Sequence, residues 1–244
     1  MSNEAKIVLL AGASGLSGSC ALEALLGTPE VSRVVAVSRR PLKREHARLA
    51  NRIVQFQRLE SQLQGTRADA VFCCLGTTIR QAGSREAFRE VDVDTVLSFA
   101  RAAKACGARR FVVMSSVGAD PRSRNFYLRT KGEMEEELEG LGFESLDILQ
   151  PSVLLGWRAD MRPLALAAWA LVPLVNLLLL GRYRIYRGLS ARTVGAAMLG
   201  AMRSGRRGVQ RYTWDGIEAL SRLGTRARTP AAAAPAAAAS ARRR

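Results

Sequence analysis

One histidine (His46) and four cysteines (Cys20, Cys73, Cys74, Cys106) with no Cys-x-x-Cys pair leave this sequence short of the closely spaced ligands a structural zinc site needs, so no metal is expected. Lysine is scarce: only four of 37 basic residues are Lys, an arginine bias that a GC-rich genome explains as readily as chemistry. Glycine and proline together make 29 of 244 residues, too few for a collagen-like or low-complexity chain. No secretory leader is expected either, because MSNEAK runs straight into an apolar strand. Reduced cysteines in a cytoplasmic protein follow as the expectation.

The composition that remains is 48% hydrophobic and 24% charged, enough to bury the core of one large domain or of a domain with a minor lobe. The net charge of +16 is unevenly placed: residues 182–244 hold 14 Arg against Asp215 and Glu218. The first 181 residues are nearly balanced, so the charge does not mark a nucleic-acid-binding fold, and no nucleic-acid partner is expected.

Short apolar runs at 6–11, 31–37, 53–56, 70–75, 110–115 and 146–149 read as six strands. Helical patterns lie between them, notably 86–105, closed by Gly107, and 127–138, whose outer face is strongly acidic. Alternation with short connections predicts an α/β fold, a doubly wound parallel sheet with helices on both faces. The boundaries expected are a Rossmann domain over 1–157, a small apolar lobe over 158–220 packed on it, and a disordered Ala/Arg-rich tail over 221–244. Within the lobe, 191–202 reads as helix and 209–213 as a short strand.

The first strand runs into Gly12-x-x-Gly15-x-x-Gly18. Gly12 permits a tight turn, Gly15 lets backbone approach a pyrophosphate, and Gly18 lets the following helix pack close to the sheet. The helix N-terminus supplies free N–H groups and the positive dipole end. The second strand ends in Ser38-Arg39-Arg40 with no acid nearby. A carboxylate there would hold ribose hydroxyls and repel a 2′-phosphate, whereas guanidinium groups match the phosphate; NADPH is therefore favoured over NADH.

Tyr127 and Lys131 stand one helical turn apart on one face, after the fifth strand. A neighbouring ammonium favours a phenolate, which suits Tyr127 to proton transfer to a carbonyl oxygen, and Lys131 can also hydrogen-bond a nicotinamide ribose. At the end of the fifth strand Ser116, with Ser115 second, can orient the substrate oxygen. Asp92, equally readable as a solvated helix acid, stays outside the catalytic set. Adjacent Cys73 and Cys74 point to opposite faces of a strand and read as small core residues. Trp157, Trp169 and Trp214 read as packing residues.

Taken together, GASGLSG, SRRPL, AVFCCLGTT, SSVGAD, NFYLRTKGEMEEEL and QPSVLLG resemble the short-chain dehydrogenase/reductase superfamily. The closer resemblance is to its atypical branch around the Tat-interacting oxidoreductase family and its bacterial relatives. It covers about residues 6–215 and is strongest over 6–156. The resemblance implies that Gly12, Ser14, Gly15 and Leu16 lie against the pyrophosphate and that Arg39 and Arg40 take the 2′-phosphate. It implies that Leu75, Gly76 and Thr77 line the adenosine side and Pro151 and Val153 border the nicotinamide. It makes Ser116, Tyr127 and Lys131 the catalytic group. Two positions depart from the pattern: Gln55 replaces an adenine-contacting Asp, and Asp92 stands where extended relatives carry a catalytic Asn.

Residues 163–181 form a 19-residue stretch without a charge, interrupted by Pro173 and Asn176 and flanked by arginines on both sides. Buried or groove-lining helices are the first reading, peripheral membrane docking through 163–187 the second and a true span the third. Function is expected to be NADPH-dependent reduction of a small carbonyl-type substrate. The alternatives are a non-catalytic NADPH-binding regulator or scaffold and, third, a sugar-nucleotide epimerase, for which the second lobe is short.

Overall fold

The run Lys6–Ala11 forms the middle of a parallel sheet because both of its faces are covered: Val8 and Leu10 enter one apolar cluster, Leu9 and Ala11 the other. The computed structural model describes residues 5–155, 176 and 178–226. The strands are β1 (Lys6–Ala11), β2 (Val31–Ser38), β3 (Leu49–Ile53), β4 (Ala70–Cys73), β5 (Arg110–Met114), β6 (Ser145–Leu149), the short pair β7 (Leu154–Leu155) and β8 (Leu189–Ser190), and β9 (Gly208–Tyr212). Seven of them form one sheet in the order β3-β2-β1-β4-β5-β6-β9, every neighbouring pair parallel.

The helices are α1 (Leu16–Leu26), α2 (Leu59–Gln62), α3 (Ile79–Ala82), α4 (Arg85–Arg89), α5 (Thr95–Ala105), α6 (Phe126–Gly140), α7 (Ala191–Ser204) and α8 (Trp214–Thr225). Helices α1, α7 and α8 bury Leu22, Leu25, Val194, Met198, Ile217 and Leu220 against Leu10, Phe72 and Val112 of the sheet. On the opposite face α2, α5 and α6 bury Leu59, Phe99, Met134 and Leu138 against Val71, Val113 and Ile148. The doubly wound sheet expected from the sequence is therefore present.

Four expectations change in detail. The third strand is Leu49–Ile53, not 53–56: its register on β2 pairs Ala36 with Asn51, and Phe56–Arg58 closes as a 3-10 turn. This edge strand carries polar residues, so apolar content was a poor guide to it. The helix over 86–105 is interrupted by a π-helical turn at Glu90–Asp94. The domain boundary after 157 also fails, since β9 is the seventh strand of the main sheet and α7 packs directly on α1. Finally, 221–225 is helix rather than tail: Ile217, Leu220 and Gly224 keep α8 buried to its last turn, and a Cβ on Gly224 would meet the Ala196 carbonyl oxygen at 1.9 Å.

Strand β9 is bound through a buried polar cluster. Asp147 of β6 accepts from Arg110 (2.9 Å), Ser145 (2.9 Å) and the Tyr212 hydroxyl (3.1 Å). Burial pushes the Asp147 carboxyl above its ordinary value, and burial together with Asp147 pushes the Tyr212 phenol up to about 12. Trp157, Trp169, residues 163–175 of the apolar stretch and the tail from 227 lie outside the described residues. Among the described residues no helix is long and apolar enough to cross a membrane.

Candidate cofactor and active site

The strand order reverses direction between β1 and β4, and the ends of these strands open the crevice where α/β sheets place ligands. Gly12 sits there at φ +82°, and a Cβ on it would lie 2.4 Å from the Cys74 carbonyl oxygen at the end of β4. Only glycine satisfies both the angle and the approach. The Gly15 N–H closes the turn on the Gly12 carbonyl at 2.9 Å. A Cβ on Gly18 would lie 2.0 Å from that same carbonyl, so Gly18 presses α1 against the glycine turn itself rather than against the sheet. Ser14 and Gly15 are exposed, Leu16 opens α1, and no side chain caps that helix. Its first amides are thus left for an anion.

Arg39 and Arg40 follow the end of β2, both exposed, and among the described residues neither guanidinium has an ion-pair or hydrogen-bond partner. Gln55 is exposed just before the 3-10 turn, with its N–H bound to Gln62 at 2.9 Å.

At the end of β4, Leu75 packs on the core while Gly76 and Thr77 run over a buried ion pair. Lys131 Nζ stands 2.5 Å from Asp92 Oδ1, with side chains 6% and 0% exposed. The other Asp92 oxygen accepts the Thr77 N–H at 2.8 Å. A Cβ on Gly76 would come within 3.4 Å of Asp92 Oδ1 and 3.7 Å of Lys131 Nζ, so the Gly76 backbone lies directly over the pair. The π-helical turn carries Asp92 into this position, a device often found at functional sites. Asp92 is therefore not a solvated helix acid. Its signal was readable: it interrupts the buried stripe of Phe88, Val96 and Phe99.

Tyr127 lies one turn before Lys131 on α6, half-buried, its ring 5.6 Å from that of Phe88. The two serines at the end of β5 divide cleanly. Ser115 donates to the buried Glu135 carboxylate, which also takes Gln150 Nε2 (2.9 and 3.0 Å) and Arg211 Nε (3.0 Å). The Ser116 hydroxyl, on the other side of the chain, makes only a 3.5 Å contact to the Val117 carbonyl among the described residues. Glu135, expected on an acidic outer face, instead ties the ends of β5 and β6 to β9 through Ser115, Gln150 and Arg211. Pro151 is buried and its carbonyl accepts the Val117 N–H at 3.0 Å, whereas the Val153 side chain is 58% exposed.

The adjacent cysteines are core residues, as expected. Cys73 is fully buried, which pushes its thiol up to about 12, and Cys74 faces the opposite cluster with its sulfur 3.4 Å from Met198 Sδ. Trp214 packs against the core beneath the guanidinium groups of Arg184 and Arg187.

The uncapped helix start and the open face of Gly15, in a turn whose tightness Gly12 and Gly18 permit, fit a dinucleotide pyrophosphate. Known proteins agree. A family described as NAD(P)H-binding matches residues 12–157. Protein HTATIP2 of Rattus norvegicus is 41% identical over 162 residues, which cover 65% of this chain and 66% of that protein. Protein fmp52, mitochondrial, of Emericella nidulans is 36% identical over 163 residues, covering 64% of this chain and 70% of that one. This chain thus spans just under two thirds of the rat relative's length. Two solved structures share the fold. MoeE5 in complex with UDP-glucose and NAD has a TM-score of 0.62 at 20% identity, over 84% of this chain and 75% of that one. UDP-N-acetylglucosamine 4-epimerase from Methanobrevibacter ruminantium M1 has 0.64 at 16%, over 86% and 77%. The chain belongs to the NAD(P)H-binding family, as an atypical short-chain dehydrogenase/reductase of the Tat-interacting branch.

Proposed function

We propose that this protein is an NADPH-dependent oxidoreductase that reduces a small carbonyl-type substrate, with Tyr127 as the proton donor. The observation that carries the reading is the buried Lys131–Asp92 pair under Gly76 and Thr77, one helical turn from Tyr127, at the strand ends that also present the glycine turn. A reduced nicotinamide, when bound, supplies hydride. Gly12, Ser14, Gly15 and Leu16 hold the pyrophosphate, and Arg39 and Arg40 the 2′-phosphate. Leu75, Gly76 and Thr77 line the adenosine side, while Pro151 and Val153 border the nicotinamide. Lys131 offers N–H donors to the ribose from a position fixed by Asp92. Ser116 donates to the substrate carbonyl oxygen and orients it. The Tyr127 hydroxyl gives its proton to that oxygen as negative charge develops there.

A second reading, a non-catalytic NADPH-binding regulator or scaffold, is favoured by one feature: the Lys131 ammonium is already neutralised by Asp92. Tyr127→Phe separates the two. Under the reductase reading, NADPH oxidation with an aldehyde and quinone panel falls at least about 100-fold in the variant, the usual scale of a general acid, while NADPH affinity is kept. No turnover by the wild type on any substrate, with NADPH bound and the cellular role intact in Tyr127→Phe, would leave the regulator reading in its place.

A further inference from the structure

Asn51 of β3 reaches across β2 to the turn that carries Arg39 and Arg40. Its Nδ2 donates to the Ser38 hydroxyl at 2.7 Å and to the Ala36 carbonyl at 3.2 Å. Its Oδ1 accepts the Leu42 N–H at 2.8 Å. The Ser38 hydroxyl in turn donates to the Arg40 carbonyl at 2.7 Å. Pro41 lies between these two anchor points and contributes a fixed φ and no amide donor. The backbone is thus tied at Arg40 and again at Leu42, while both guanidinium groups stay exposed without side-chain partners among the described residues. Sheet pairing does not require this arrangement, because β2 and β3 stay joined by main-chain bonds to the end, the Val54 N–H on the Ser38 carbonyl at 3.0 Å.

We propose that Asn51, acting through Ser38, is a specificity-determining positioning residue that pre-orders the arginine turn for a 2′-phosphorylated dinucleotide. The proposal rests on the assignment of Arg39 and Arg40 to the 2′-phosphate. A turn fixed before binding removes an ordering penalty, and it does so only for the ligand that uses those arginines. NADH, which lacks the phosphate, gains nothing from the latch. Asn51 therefore acts on the choice between cofactors rather than on binding in general.

Calorimetric titration of the full chain with NADPH and with NADH tests this in the wild type and in Asn51→Ala, Asn51→Asp and Ser38→Ala. Asn51→Ala is expected to weaken NADPH about tenfold and NADH less than about twofold. Ser38→Ala shifts the ratio the same way by a smaller factor. Asn51→Asp keeps the Leu42 acceptor but puts negative charge beside the turn, and lowers the NADPH-over-NADH ratio below that of Asn51→Ala. Equal loss of both cofactors, or of neither, in Asn51→Ala overturns the inference while leaving the arginine assignment standing. A wild type that binds the two cofactors equally overturns that assignment and the inference with it. Thermal melts accompany each titration, and if Asn51→Ala does not fold, the ratio in Ser38→Ala decides.

Discussion

Asp92 and Lys131 are each nearly or fully out of water, and neither charge is tolerable there without the other. Removing one partner of a buried pair leaves an uncompensated charge and destabilises by roughly 3–5 kcal/mol, whereas replacing both with apolar groups is often close to neutral. Lys131→Met is thus expected to lose about that much in urea unfolding. The double change Asp92→Leu with Lys131→Met recovers most of it without restoring NADPH binding. That split between stability and cofactor affinity separates a site pair from a purely structural one; affinity returning together with stability would sink the assignment of Lys131 to the cofactor. Asn in place of Asp92 keeps an acceptor for the Thr77 N–H, so Asp92→Asn should lie between the wild type and Lys131→Met in stability.

At the scale of elements, the glycine turn and α1 behave as one unit, since the Gly12 carbonyl is both the acceptor for Gly15 N–H and the floor on which Gly18 rests. A methyl group on Gly18 would lie 2.0 Å from that carbonyl oxygen, which is backbone and cannot swing aside. Gly18→Ala is therefore expected to push α1 off the turn, lower the thermal midpoint and abolish NADPH binding, whereas Gly15→Ala, with its nearest contact at 3.3 Å, keeps the fold and weakens binding only. A melt and a titration on each variant check the contrast. The place of this unit was legible in the sequence because its spacing follows from geometry that only glycine permits, although Gly18 rests on the turn and not on the sheet as expected. The same holds for Tyr127 and Lys131, placed by helical periodicity after a recognisable strand. Other features were not legible. The π-helical turn that aims Asp92 inward has no composition of its own, and the β3 register depends on Asn51 facing Ala36, a pairing that no local pattern encodes. Glu135 looked like one more acid on a charged helix, and only the arrival of Ser115, Gln150 and Arg211 from three separate strands explains its burial.

For the molecule as a whole, the C-terminal segment is part of the fold that carries the site. Val194, Met198, Leu199, Met202, Ile217 and Leu220 are buried against α1 and the sheet, and at about 1.5–3 kcal/mol per side chain their combined loss is of the same order as the roughly 5–15 kcal/mol by which domains are stable. Glycines mark how closely these layers meet: a Cβ on Gly195 would strike Cys20 of α1 at 2.6 Å, and one on Gly200 would strike the Leu220 carbonyl oxygen at 1.9 Å. Helix α1 is also the helix whose start forms the glycine turn proposed to hold the pyrophosphate. Losing α7 would uncover its buried side, so damage to the C-terminal half should reach the cofactor without touching it. A chain ending at Gly188 should accordingly show no cooperative thermal transition and no NADPH uptake. A chain ending at Arg226, which keeps every described element together with the carbonyl of Arg226 that Arg203 binds at 3.0 Å, should melt and bind like the full protein. Cooperative unfolding and cofactor binding by the chain ending at Gly188 would show instead that the fold and its site stand without α7, β9 and α8, in keeping with the separate N-terminal domain expected from the sequence.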